Sequence, residues 1–150
     1  MRAASSILRI ANPCDNEVGM NHSLTQSVAI VGAIGIAGMS ILQILLAAGL
    51  PLGEAAFGGE NRVLPKKLRL ASAISVAIFF AAFYIILARG GLFGKASQSS
   101  DVARFGIWVL VVIFGVSTLA NIASRSRWER LVMAPVGLVL AVCCVMVALG

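Results

Sequence analysis

Four stretches of the chain contain no charged side chain, and they constrain its fold more than any other feature. They cover residues 23–53, 70–88, 105–124 and 131–150. A helix of about 20 apolar residues spans the roughly 30 Å hydrocarbon core of a bilayer. The sequence therefore predicts an all-α fold, in which four transmembrane helices form an antiparallel bundle. The predicted spans cover about residues 25–48, 70–87, 105–123 and 131–149.

The composition places this bundle in a lipid bilayer and not in solution. Hydrophobic residues make up 59% of the chain and charged residues 12%, whereas soluble domains carry about 25% charge. A soluble helix would also show a polar stripe along one side. Here the four stretches are apolar all round, as expected of helices that face lipid.

The basic residues lie in the connections between the apolar stretches and indicate an orientation. The formal net charge is +6, but no basic patch is interleaved with aromatic residues, so we expect no nucleic-acid partner. The first and third connections hold Arg62, Lys66, Lys67, Arg69, Arg125, Arg127 and Arg130. The opposite side holds Arg89, Lys95 and Arg104, with Arg2 and Arg9 if the N-terminus is counted. The excess of cations predicts that the first and third connections are cytoplasmic and that both termini lie outside.

The N-terminal segment, residues 1–22, is expected to be disordered and separate from a single transmembrane domain at 23–150. Arg9 interrupts the one apolar patch that could serve as a signal peptide. Met20 stands just ahead of the first apolar stretch and is an alternative start of translation. We therefore give residues 1–19 little functional weight.

Small residues recur along one side of the first two predicted helices. Such residues let two helices approach closely in lipid. They predict helix packing, either inside the bundle or between subunits, and leave open a groove for a cofactor or substrate. The residues concerned are Ala29, Gly32, Ala33, Gly35 and Ala37 in the first helix, and Ala73, Ala77 and Ala81 in the second.

Candidate polar residues gather at the predicted cytoplasmic end. The connection from Gly49 to Arg69 is rich in Gly and Pro yet unusually apolar, and it carries Glu54 near the membrane boundary. Glu54 is either solvated or paired with a nearby Arg, or it is a ligand or proton site. Gln43 and Asn121 lie toward the same end, where they could share a hydrogen bond. A sharper hypothesis is a polar pocket that these two share with Glu54 and Arg62.

Signatures of catalysis and of cofactor binding are missing from the sequence. A single His22 and three scattered cysteines cannot build a zinc site. We find no glycine-rich phosphate cradle, no pair of intramembrane histidines for haem and no paired carboxylates. No span has an ionisable residue in its middle, which argues against a proton relay. We therefore expect no metal, no cofactor and no catalytic residue.

Two motifs resemble those of a family of small four-helix integral membrane proteins of bacteria that has no established activity. The motifs are Gly49, Pro51, Gly53, Gly58, Gly59, Leu64, Pro65, Leu68, Arg69 and Ser72 around the first connection, and Asn121, Ser124, Arg125, Ser126, Glu129 and Pro135 in the last hairpin. The resemblance covers residues 24–150. It implies a four-helix architecture and little else, and we expect a multi-pass protein of the bacterial inner membrane.

These observations favour an accessory, structural or regulatory role over transport or catalysis. We expect the protein to act by packing in the lipid bilayer with a second copy or with another membrane protein. The alternative is a small oligomeric transporter with Gln43, Glu54 and Asn121 around its pathway. A membrane-embedded enzyme ranks third, because the chain supplies few acid–base groups.

Overall fold

The chain is all-α in the part that the structure describes. The computed structural model describes the backbone of residues 13–150 and the side chains of residues 22–150. Its helices are α1 (Pro13–Ala48), α2 (Lys66–Arg89), the short α3 (Lys95–Gln98), α4 (Asp101–Ala123) and α5 (Ala134–Leu149). Two 3₁₀ turns, Gly53–Ala55 and Phe57–Gly59, lie between α1 and α2, and a π-helical turn, Glu129–Met133, precedes α5. The predicted helical class is confirmed.

Four of the helical segments are long and apolar enough to cross a bilayer. They are His22–Ala48, Lys66–Arg89, Asp101–Ala123 and Glu129–Leu149. Each predicted span lies inside one of them. The observed segments begin earlier than the apolar stretches, because a charged residue at a helix end keeps its backbone hydrogen bonds while its side chain extends into water.

The first helix begins well before its apolar part. Within the described residues it covers Pro13–Ala48, so the helix is already formed before the apolar stretch begins at residue 23. Residues 13–22 are therefore helical where the sequence predicts a disordered segment. Residues 1–12, including Arg9, lie outside the described part of the chain.

The four long helices pack around a core of apolar side chains. Helix α1 packs against α2 and α5, and α4 packs against α5 and α2. At the centre are Ala29, Ala33, Ile36, Ala82, Ile86, Ile107, Leu110, Phe114, Leu140, Cys143, Cys144 and Val147.

Small residues on α1 make this close packing possible. A Cβ atom added to Gly32 would lie 2.5 Å from Ile86 Cδ1 and 3.2 Å from Cys143 Cβ. At Gly35 it would lie 2.8 Å from Leu140 Cδ2. Ala29 and Ala33 are buried, and Ala37 is half-buried. On α1, Ala29, Gly32, Ala33 and Gly35 face the inside of the bundle.

The small residues of α2 do not pack inside the bundle. Ala73, Ala77 and Ala81 are all exposed, and the buried side of α2 carries Ser72, Ala82, Ile86 and Ala88. The prediction that these three alanines pack against another helix of the same chain therefore needs correction. The reason is that α2 is apolar on every side, so its sequence does not mark which side faces the core.

Candidate functional site

The connection between α1 and α2 folds over one end of the bundle and touches the turn before α5. The N–H of Gly58 donates a hydrogen bond to Glu129 Oε1 at 3.0 Å. The hydroxyl of Ser126 donates to the carbonyl oxygen of Glu54 at 2.7 Å. We call the surface formed by residues 49–65 and 124–130 the loop face. These two hydrogen bonds hold its halves together.

Glu129 is the buried acid of the loop face, with only 6% of its surface exposed. It lies three residues after Ser126, whose hydroxyl accepts the Glu129 N–H at 3.5 Å. This Ser-x-x-Glu spacing is that of a capping box, in which the glutamate normally returns to the N–H of the serine. Here Ser124 Oγ accepts that N–H at 3.1 Å, so the Glu129 carboxylate is free to bind Gly58. The capping-box spacing is the signal by which sequence reasoning could have found Glu129.

The π-helical turn starts at Glu129 and widens the beginning of the last helix. The N–H of Ala134 donates to the carbonyl oxygen of Glu129, five residues back. Pro135 follows at once, and proline can neither donate a backbone hydrogen bond nor tolerate the ordinary position of the carbonyl four residues earlier. Such π turns occur often at functional sites. This one places Glu129 and Met133 on the same cavity.

The loop adopts a left-handed conformation directly above that cavity. Three successive residues have positive φ: Phe57 at 53°, Gly58 at 83° and Gly59 at 72°. A positive φ costs free energy at Phe57, which has a Cβ atom. At Gly59 a Cβ atom would lie 3.0 Å from Ser126 Cβ. Contacts with Glu129 and Ser126 thus maintain a loop conformation that the isolated chain would avoid.

A cavity of about 520 Å³ lies beneath this loop, between α1, α2 and α4. Its apolar wall is formed by Met39, Leu42, Ile78, Phe79, Ile113, Phe114 and Met133. Its polar lining comprises Gln43, Glu60, Ser75, Ser117, Asn121, Ser124, Arg125 and Glu129. The rings of Phe79 and Phe114 are stacked with centroids 6.2 Å apart. Because both residues are among those farthest from the loop along their helices, this pair forms the inner end of the cavity.

The structure brings two of the predicted site residues together. Gln43 and Asn121 both line the cavity. Gln43 Oε1 is buried and has no hydrogen-bond partner among residues 22–150. Among residues 22–150 the side chains of Gln43 and Asn121 share no hydrogen bond. The backbone carbonyl of Asn121 accepts the N–H of Ser124.

The other two predicted residues lie outside the cavity. The side chains of Glu54 and Arg62 are exposed. Both residues take part in the loop through their backbone carbonyls. The carbonyl of Glu54 accepts the hydroxyl of Ser126, and the carbonyl of Arg62 accepts the N–H of Gly53 at 3.1 Å. The hypothesis of a pocket shared with these two side chains therefore needs correction. Glu54 lies in the 3₁₀ turn at the outer surface of the loop, which explains its exposure.

Charged side chains that do line the cavity come from positions not singled out as site residues. Glu60 and Arg125 are exposed and Glu129 is buried. Within residues 22–150 the one ion pair is between Arg104 and Asp101, with nitrogen and oxygen 3.7 Å apart. The same residues hold no group of three or more His, Cys, Asp or Glu that could bind a metal ion. The cavity therefore combines an apolar wall with a polar end in which Glu129 forms no ion pair with any of residues 22–150.

Comparisons with known proteins do not place the chain in a group. No family model matches it, and neither a curated protein nor a solved structure does. The geometry of the loop face and its cavity is therefore the basis for assigning a function.

Proposed function

We propose that this chain is a multi-pass protein of the bacterial inner membrane that serves an accessory or regulatory role. In this proposal residues 23–150 form an antiparallel bundle of four transmembrane helices that binds a second copy or another membrane protein through its loop face. The four long apolar helices support the membrane assignment. The contact of Arg69, near the start of α2, with the last carbonyls of α1 supports the antiparallel arrangement.

The observation that carries this proposal is the fixed conformation of the loop face. A surface that is ordered before binding loses less conformational entropy when a partner docks. The loop is ordered by a buried carboxylate and a serine hydroxyl from a turn more than 70 residues away in sequence. That arrangement suits a surface for docking better than it suits a passive linker.

The shape of the cavity favours this role over transport by a single chain. The cavity ends at the stacked rings of Phe79 and Phe114, and the core beyond them contains fully buried Ile86 and Ile107. A transporter would need a pathway between several copies or a large movement of these helices. Of the pathway residues expected from sequence, Gln43 and Asn121 line the cavity and Glu54 does not.

The proposed orientation places the loop face in the cytoplasm and both termini outside. Seven of the basic residues, Arg62 to Arg69 and Arg125 to Arg130, belong to the loop face or to the adjoining start of α2, and cations are retained on the cytoplasmic side. We expect alkaline phosphatase fused after Gly150 to be active and a cytoplasm-dependent reporter at that position to be inactive. Fusions after Arg125 are the control and should show the opposite pattern. A cytoplasm-dependent reporter that is active after Gly150 would contradict the orientation.

The docking role is tested with Ser126→Ala, which removes the hydrogen bond to Glu54 and the longer one from the Glu129 N–H but replaces no side chain that lines the cavity. The protein is purified from membranes in mild detergent, and its partners are quantified at matched membrane levels. We expect the native chain to retain a stoichiometric partner and the variant to lose most of it. Ser99→Ala is the control, because Ser99 also donates to a backbone carbonyl but lies in the connection before α4. Absence of a partner with the native chain, or equal retention by Ser126→Ala, would refute the role.

A further inference from the structure

Glu129 is a buried acid whose charge has no cationic partner within the described residues. Its single side-chain hydrogen bond there is the one from Gly58 N–H, and no Lys or Arg nitrogen of residues 22–150 lies within 4.0 Å of its carboxylate. A buried carboxylate without a counter-ion is unfavourable. Because Glu129 lines the cavity, a cation bound in that cavity would stabilise it.

Gln43 adds a second acceptor to the same cavity. Its Oε1 atom is buried and has no donor among residues 22–150, and an unsatisfied buried acceptor costs about 1–3 kcal/mol. Glu129 and Gln43 belong to different helical segments, yet the fold places both on one cavity. A ligand group with several N–H donors and a positive charge would satisfy both.

The cavity is open on the side where α2 and α4 would face lipid. Its lining includes Ile78 on α2 and Ser117 and Ala120 on α4, all of which are exposed. An apolar chain could therefore enter sideways from the bilayer and contact the apolar wall. The volume of about 520 Å³ falls within the roughly 300–1,000 Å³ of sites that hold small ligands.

We propose that this cavity binds an amphiphile with a primary ammonium group, whose N–H donors bind Glu129 and Gln43. Arg125, which is exposed and also lines the cavity, would bind the phosphate of an aminophospholipid. The shared chemistry, a primary ammonium on an apolar chain, could come from such a lipid or from a free alkylamine. The inference rests on the proposed function in one respect, that the cavity lies within reach of a bilayer.

The test measures binding of defined lipids to the purified full chain in neutral detergent by native mass spectrometry. The probes are phosphatidylethanolamine, phosphatidylcholine and phosphatidylglycerol with the same acyl chains, and dodecylamine. We expect phosphatidylethanolamine to bind about tenfold or more tightly than phosphatidylcholine, because a quaternary ammonium has no N–H to donate to the carboxylate. Tighter binding of dodecylamine than of phosphatidylethanolamine would support the same site and identify the free amine as the ligand.

Two variants connect the binding to the proposed atoms. Glu129→Gln keeps an acceptor for Gly58 but removes the charge, so it should weaken ammonium binding about tenfold or more. Glu54→Gln is the matched control, because the same change is made on an exposed side chain outside the cavity, and it should bind as the native chain does. Gln43→Met should raise the unfolding temperature without lipid yet reduce the stabilisation that phosphatidylethanolamine gives.

Several results would overturn the inference. These are equal affinity for phosphatidylethanolamine and phosphatidylcholine, unchanged binding by Glu129→Gln, and no binding of any amine probe. The assay contains purified protein alone, so its failure would leave the docking result for Ser126→Ala unaffected. Conversely, absence of a protein partner would not alter the lipid result.

Discussion

At the scale of single residues, two glycines near the C-terminal half of α1 have different roles. Gly49 has φ of +90°, and an added Cβ atom would lie 2.9 Å from Arg69 Cζ. Gly38 lies inside α1, and an added Cβ atom would meet nothing within 4 Å. The first glycine is required by the backbone, whereas the second is not required by any contact in the described structure.

This difference predicts opposite effects of the same substitution. Gly49→Ala should lower the free energy of unfolding by about 1 kcal/mol or more, because alanine disfavours positive φ and would collide with Arg69. Gly38→Ala should leave stability unchanged or raise it by up to about 1 kcal/mol, since alanine has the higher helix propensity. Thermal unfolding in neutral detergent measures both. Equal effects at the two positions would contradict the assigned roles.

At the scale of helices, the ends are defined by specific contacts as well as by hydropathy. The N–H groups of Gly49 and Leu50 donate to the carbonyls of Leu46 and Leu45 at 3.0 and 3.1 Å, which is the Schellman pattern of a helix C-terminus. Arg69 donates through Nε and Nη2 to the carbonyls of Ala47 and Ala48 at 2.9 and 3.0 Å. Its charge also complements the negative end of the α1 dipole. Arg69 thereby joins α1 to α2.

We expect the removal of this cap to destabilise the α1–α2 pair. Arg69→Gln should lower the unfolding free energy by about 1.5–3 kcal/mol, the range for hydrogen bonds from a charged group. Arg69→Lys should recover only part of the loss, because a lysine cannot reproduce the planar fork. Lys67→Gln is the matched control and should change stability by less than about 0.5 kcal/mol, since its side chain is exposed. Indistinguishable effects of Arg69→Gln and Lys67→Gln would refute the capping role.

At the same scale, the sequence predicted the extent of the helices well and the loop contacts poorly. The end of α1 at Ala48 follows from Gly49 and Pro51, which disfavour a continuing helix. By contrast, the hydrogen bond from Gly58 to Glu129 joins two segments that neither spacing nor composition links. The sequence predicted Glu54 as the acidic site residue because of its place in the loop. The buried acid is instead Glu129, because the turn before α5 lies beneath the loop.

At the scale of the whole molecule, the orientation of each helix about its own axis decides which residues meet. The small-residue side of α1 faces the core, whereas Ala73, Ala77 and Ala81 of α2 face outward. Ala82, next to Ala81, is fully buried. An outward small-residue side remains compatible with contact between subunits, the second possibility raised by the sequence.

Neighbouring alanines on α2 test this orientation. Ala82→Leu should destabilise the monomer by about 1–3 kcal/mol, because the core has no room for the larger side chain. Ala81→Leu should have little effect on unfolding in detergent, since its side chain is exposed. Equal losses from both substitutions would contradict the orientation of α2. A loss of self-association by Ala81→Leu at unchanged stability would show that the outward side packs against a second copy.

The sequence by itself determined the helical class, the four apolar segments and, to within two residues, the C-terminal ends of their helices. These features depend on local properties: the length of uncharged stretches, helix propensity, and residues such as Gly49 and Pro65 that end or precede a helix. Only the tertiary structure decided which side of α2 is buried, that Glu129 is the buried acid, and that Gln43 and Asn121 share a cavity from which the Glu54 side chain is excluded. The physical reason is that helices which are apolar all round carry no stripe to mark their inward side, so contacts between distant segments determine their rotation and the site that they enclose.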